Sequence, residues 1–138
     1  MNIEFALSHG LNFCYETNFD EYPLYWAEQF KAKGYSVRLI FFCLESVEIA
    51  QRRILMRKEF KGHFIDNKTV KEKWNKGYAN LDLHFAFFDK VVVVDNSKDK
   101  EPFSVIVSIE NQTKTIFTPP PSYFQERLQK LSEIIFKD

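Results

Sequence analysis

Glu16 and Thr17 directly follow the hydrophobic run Asn12-Phe13-Cys14-Tyr15. A carboxylate and a hydroxyl just beyond a buried strand stand where open α/β sheets hold their ligands. No helix cap or turn requires Glu16. Arg53 and Arg57 are four apart and share one helix face, with Ile54, Leu55 and Met56 between them. Two guanidinium groups on one stripe above a sheet edge can clamp phosphate oxygens by bidentate hydrogen bonds. The plainer reading is a surface pair with its own acidic partners. Lys73 and Lys76, on the following helix, carry the same two readings. Asp95-Asn96-Ser97 ends a later apolar strand and suits a turn as well as a ligand role. Glu45 and Ser46 read as a helix cap.

Other chemistries are excluded. Gly10, Gly34, Gly62 and Gly77 are the four glycines, and none precedes a lysine, so no GxxxxGK[ST] loop or GxGxxG fingerprint exists. His9, His63 and His84 lack the neighbouring His or Cys that a metal site needs, and no residue is assigned to a metal. No Ser-His-Asp or Cys-His arrangement stands out. Nineteen basic residues balance nineteen acidic ones, which argues against general nucleic-acid binding. The balance is uneven, however. Residues 52–78 hold nine Arg and Lys against Glu59, Asp66 and Glu72, a local cationic segment suited to a compact anion such as a phosphate.

The elements that position these groups follow from hydrophobic patterning. Residues 2–10 read as a short helix ended by Gly10. Residues 12–16 read as a buried strand. A helix capped by Asp20 runs to about Lys33 and stops at Gly34. Residues 35–44, "YSVRLIFFCL", are near-continuously apolar, as in a strand covered on both faces. A helix capped by Ser46 runs to about Gly62, and another spans about Lys68 to Phe87. "KVVVVDNS" is a third buried strand. Residues 103–119 alternate around Asn111-Gln112 as an antiparallel hairpin. Ser122 begins a last helix over roughly 123–137.

The order predicts one α/β domain over 1–138: a parallel sheet with flanking helices, plus a C-terminal hairpin and helix over 100–138. A 45% apolar content supplies its core, dense with fifteen Phe, six Tyr and two Trp. Cys14 and Cys43 both lie in apolar runs and read as buried thiols of a reducing compartment. No run reaches the ~20 apolar residues of a membrane span, so a cytoplasmic protein without a membrane partner is expected.

The ordered set "NFCYETNF", "AKGYSVRLIFFCLESVEIAQRR", "RKEFKGHFIDNKTVKEKWNKGYANL" and "VVVVDNS" resembles the zeta-toxin-like family of P-loop kinases. Pro121-Ser122-Tyr123-Phe124 is similar to that family's P-x-W-F segment. The resemblance covers about residues 3–128 and implies an incomplete P-loop NTPase-like fold. It implies an ATP- and Mg2+-dependent kinase acting on a small-molecule hydroxyl; the founding toxins act on UDP-N-acetylglucosamine. Glu16 and Thr17 would then face the substrate, with Glu16, Arg57 and Lys73 in catalytic roles. Arg53, Arg57, Lys76, Asn96 and Ser97 would meet the nucleotide. The chain departs from the pattern at Lys61, which replaces the first glycine of a G-G-H loop, and at Glu72-Lys73-Trp74, which replaces R-R-Y. The next arginine of that pattern is Lys76, and lysine lacks the planar fork.

The family's phosphate loop and acceptor-activating Asp are absent, so no phosphoryl transfer is expected from this chain alone. The family strand that carries the loop lies between the strands expected at 12–16 and 36–43. Three outcomes are open: the two strands pair directly, another chain fills the gap by association, or the protein extends upstream of Met1. The alternative function is a degenerate, non-catalytic module that binds a nucleotide or a protein.

Overall fold

The computed structural model describes residues 2–59 and 65–137, with only the backbone of Lys58 and Glu59. Gly62 and His63, and with them the expected glycine-histidine loop, lie outside the described residues. Helix α1 spans Ile3–Ser8, capped by the Asn2 side chain, which accepts from the Phe5 N–H at 2.7 Å. Gly10 leaves it at φ +68°, as its position predicts. Helix α2 spans Tyr25–Ala32 and ends at Gly34, at φ +88°.

Asp20 does not cap α2. The helix starts at Tyr25, and its first residues lack a side-chain cap. Pro23 disfavours a helical Tyr22, and Tyr22 takes a left-handed φ of +45° instead. Asp20 is thereby freed to pair elsewhere.

Strand β1, Arg38–Cys43, runs parallel to β2, Lys90–Asp95. Helices α3, Val47–Glu59, and α4, Asn67–His84, make the crossover between them. Asp66 caps α4 by accepting from the Thr69 N–H at 2.9 Å. A 3-10 turn, Phe85–Phe87, follows. Strand β3, Ser104–Glu110, is antiparallel to β2, and β4, Thr113–Ile116, is antiparallel to β3. Asn111 and Gln112 join β3 to β4 with φ of +51° and +65°, the left-handed pair of a tight hairpin turn. The result is a mixed α/β fold around a four-stranded open sheet in the order β1-β2-β3-β4. Only the first pair is parallel, so the expected parallel sheet is corrected to a mixed one.

The missing parallel strand is residues 12–16, which form no strand in the structure. Phe13 is half-buried, and Asn12, Cys14, Tyr15 and Glu16 are exposed. A strand exists only where a neighbour takes up its backbone hydrogen bonds, and β1 does not pair with this segment. Cys14 is accordingly exposed rather than buried, while Cys43 is fully buried as expected.

The core lies on one face of the sheet. Leu39, Phe41 and Cys43 of β1 and Val91 and Val93 of β2 meet Tyr78 and Leu81 of α4. The C-terminal segment adds Phe124, Leu128 and Leu131. That segment is not one helix: α5, Tyr123–Arg127, and α6, Gln129–Ile135, meet at Leu128, whose φ of −129° breaks the run. Leu128 is fully buried at this break. Ser122 stands at the start of α5 without a side-chain capping bond; Asp82 of α4 instead accepts from the Lys130 and Leu131 N–H groups of α6, at 3.1 and 2.8 Å. On the other face of β1, Ile40 and Phe42 remain 60% and 52% exposed. The apolar run of residues 35–44 therefore does not mark a strand covered on both faces. Among the described residues, no helix is long and apolar enough to cross a membrane.

Candidate functional site

A groove of about 1340 Å³ runs between the 12–19 segment and β1. Its far wall exists because α4 holds the segment in place. Asn80 donates its side-chain amide to the Phe19 and Asp20 carbonyls at 2.9 and 2.8 Å. Gly77 lets the two backbones approach: a Cβ there would sit 3.1 Å from the Asn18 carbonyl oxygen. At the other end, the Tyr35 hydroxyl donates to the Leu11 carbonyl at 3.0 Å. Phe19 anchors the turn, 3% exposed and at a left-handed φ of +56° that a bulky side chain rarely adopts.

Glu16, Thr17, Arg53, Arg57 and Lys73 are all among the residues that line the groove. Glu16 is exposed in the wall. The Thr17 hydroxyl oxygen accepts from the Phe19 N–H at 3.0 Å, which supports that residue's unusual backbone. Its own proton is left to donate outward. Arg53 donates through Nε to Asp99 at 3.1 Å, and Arg52 donates to the same carboxylate at 2.6 Å. Lys73 Nζ donates to Asp20 at 2.9 Å. Burial works to raise the Asp20 pKa. Hydrogen bonds from Lys73 and the backbone, with the Lys73 charge, outweigh it and hold the carboxyl below its ordinary value. Arg57 is exposed and has no ion-pair partner among the described residues.

Lys76, Asn96 and Ser97 do not line the groove. Lys76 donates to Glu21 at 2.6 Å, and that bond raises its pKa. Asn96 and Ser97 lie at the C-terminal end of β2, where they fasten it to β1. The Asn96 N–H donates to the Cys43 carbonyl at 2.8 Å, and the Glu45 N–H donates to Ser97 Oγ at 2.8 Å. Ser97 Oγ and the Tyr123 hydroxyl both donate to Asp95, at 2.5 and 2.8 Å. Tyr78 completes this end by donating to the Leu44 carbonyl at 2.7 Å and accepting from the Leu44 N–H at 2.8 Å. Burial pushes the Cys43 thiol up to about 12, so it stays protonated and unreactive at neutral pH.

Sequence reasoning missed three contributors. Asn80 is a poor helix former inside a long helix, a residue type that needs a side-chain reason to be there. Asp99 lies in a polar stretch with nothing to mark it as the partner of Arg53. Trp74 lines the groove, its ring covered by the Arg127 guanidinium at 4.5 Å. Its indole N–H is buried without a hydrogen-bond partner in the described structure.

The charge at the α3 side of the groove fits an anionic group such as a phosphate, with Arg57 the cation most open to it. Among the described residues no three carboxylate, His or Cys side chains converge, and Asp20 and Asp99 are already held by cations. No family model, curated protein or solved structure matches the chain.

Proposed function

We propose that the chain is the phosphate-facing part of a zeta-toxin-like small-molecule kinase, and that alone it binds a nucleotide without transferring its phosphoryl group. The observation that supports this is the meeting of Glu16, Thr17, Arg53, Arg57 and Lys73 in one groove, although 37 to 57 residues of sequence separate the carboxylate from the cations. In this reading the incomplete P-loop-like sheet is the scaffold, and ATP, when bound, supplies the phosphoryl group. Arg57 forks onto phosphate oxygens, and Arg53, oriented by Asp99, presents its remaining N–H groups beside it. Lys73, fixed by Asp20, adds positive charge without the planar geometry. Glu16 and the Thr17 proton face the acceptor side, where they orient a hydroxyl. Positioning and charge of this kind are most of what phosphoryl transfer asks of a protein. Lacking a phosphate loop, the chain has no backbone cradle for the β- and γ-phosphates.

A second reading is a non-catalytic binding module. It is favoured by the pairing of Arg53 and Lys73 with Asp99 and Asp20, since carboxylates beside the cations compete with a phosphate. Calorimetry with ATP tests the nucleotide site that the first reading requires. The kinase reading predicts binding that weakens about tenfold or more in Arg57→Ala, the loss of one charge-assisted bidentate contact. Equal affinity in both proteins would remove Arg57 from the site. Labelled phosphate from ATP should not appear on UDP-N-acetylglucosamine above the protein-free control; transfer above it would end the claim of inactivity.

A further inference from the structure

A second cavity, of about 170 Å³, lies where β2 ends and β3 begins. Asp95, the last residue of β2, and Ser104, its register partner on β3, both line it. Ile106, Pro102, Pro119 and Pro121 supply apolar walls. The volume is close to the ~150 Å³ of a cavity that holds benzene. It is below the ~300–1,000 Å³ of pockets for drug-sized ligands, so a nucleotide does not fit. The polar groups of the lining are lopsided. Asp95 is half-buried, and its Oδ1 accepts from Ser97 Oγ at 2.5 Å, the Tyr123 hydroxyl at 2.8 Å and the Ser97 N–H at 3.3 Å. These bonds fix the carboxylate, yet none reaches Oδ2, which has no partner among the described residues. The donors nearby are already engaged. Thr118 donates its hydroxyl to the Val105 carbonyl at 3.0 Å, and Lys98 pairs with Glu101 at 3.1 Å. The three prolines have no backbone N–H to offer.

We propose that this cavity binds a compact amine of about six heavy atoms, with its ammonium on Asp95 Oδ2 and its carbon body against Ile106 and the prolines. Three features select that ligand. A half-buried carboxylate oxygen gains most from a charged donor. A guanidinium fork needs both carboxylate oxygens, and Oδ1 is taken, whereas an ammonium is a point donor that satisfies one. A lining whose donors are engaged disfavours an anion, and its apolar walls suit a carbon body rather than a hydrated ion. The site does not depend on nucleotide binding, since none of its lining residues lines the groove.

The test is an amide-resolved NMR titration with cyclopentylamine, which is protonated at about pH 7 as a lysine amine is. Cyclopentanol and cyclopentanecarboxylate keep the ring without the positive charge. The amine should shift the amides of Asp95, Ser104 and Thr118 and reach saturation. The alcohol should bind at least about tenfold more weakly, and the carboxylate should leave those amides unmoved. Asp95→Asn keeps an oxygen for Ser97 and Tyr123 but removes the charge, and it should weaken the amine about tenfold or more. Ser104→Phe, at an exposed strand position, fills the cavity and leaves Asp95 in place. It should abolish amine binding with an unchanged circular dichroism spectrum. No shifts with the amine, or equal affinity for amine and alcohol, would overturn the proposal. So would undiminished amine binding in either variant that keeps the parent spectrum.

Discussion

Arg57 differs from Arg53 and Lys73 in what holds it. Arg53 shares Asp99 with Arg52, and Lys73 is tied to Asp20. A cation already paired loses part of its attraction for an incoming anion, so among the described residues Arg57 and Arg38, which line the groove without an ion-pair partner, are the guanidinium groups most open to one. The two cysteines show how local environment sets reactivity. Cys14 is exposed, and Cys43 is buried with its thiol pushed up to about 12. A thiol reagent at pH 7.5 should therefore label Cys14 alone in the folded chain and both after denaturation; labelling of two thiols in the fold would contradict the burial of Cys43. Tyr78 is a structural residue by the same reasoning. Burial first, and then the neighbouring Cys43, hold its phenol far above the ordinary value. Its hydroxyl satisfies both backbone groups of Leu44. Tyr78→Phe should cost about 1–3 kcal/mol in urea unfolding, the range for leaving partly buried backbone groups unpaired; a loss below about 0.5 kcal/mol would show that water replaces the hydroxyl.

Among the elements, the 12–19 segment matters most, because it makes the groove's second wall. Its attachment joins the buried Phe19 ring to two polar fastenings, the Asn80 amide and the Asp20–Lys73 pair. Asp20 has a folded pKa below its unfolded value of ~3.9. Its contribution is therefore complete above about pH 4 and lost as pH falls through the lower folded pKa. Thermal melts of Asp20→Asn against the parent should differ most at neutral pH, and the gap should narrow as pH falls below the unfolded value of ~3.9 and through the lower folded one. A gap that does not change with pH would assign the effect to something other than this carboxylate. The segment also marks where sequence reasoning stops. Phe13-Cys14-Tyr15 has strand composition, but composition cannot say whether a neighbour is present to pair with it. The β3–β4 hairpin was legible because Asn111-Gln112 encodes its own turn. The helices were legible from Gly10, Gly34 and the apolar spacing. The break at Leu128 was not, because its cause is the Asp82 carboxylate on a distant helix.

At the scale of the whole molecule, one-sided packing decides what remains open. The helices α4, α5 and α6 bury one face of the sheet, and among the described residues β1 has one unpaired edge and two exposed apolar side chains. Four of the proposed site residues share a feature the sequence could suggest only in part. Arg53 and Arg57 are visibly on one stripe, but their meeting with Glu16 and Thr17 depends on how the segment is pinned 60 residues away, by Asn80. Pairings such as Arg53–Asp99 and Lys76–Glu21 join residues 46 and 55 apart and carry no local signal. Asn96 and Ser97 were placed near a nucleotide by resemblance, whereas their backbone and hydroxyl bonds fasten the ends of β1 and β2. Asn96 and Ser97 do not themselves line the groove, although Leu44 and Asp99 near them do. An amide-resolved NMR titration with ATP tests the central claim most directly. The account predicts shifts at Glu16, Thr17, Arg57 and the Trp74 indole, with Asn96 and Ser97 unmoved. Shifts confined to Asn96 and Ser97, or no shifts at all, would contradict it.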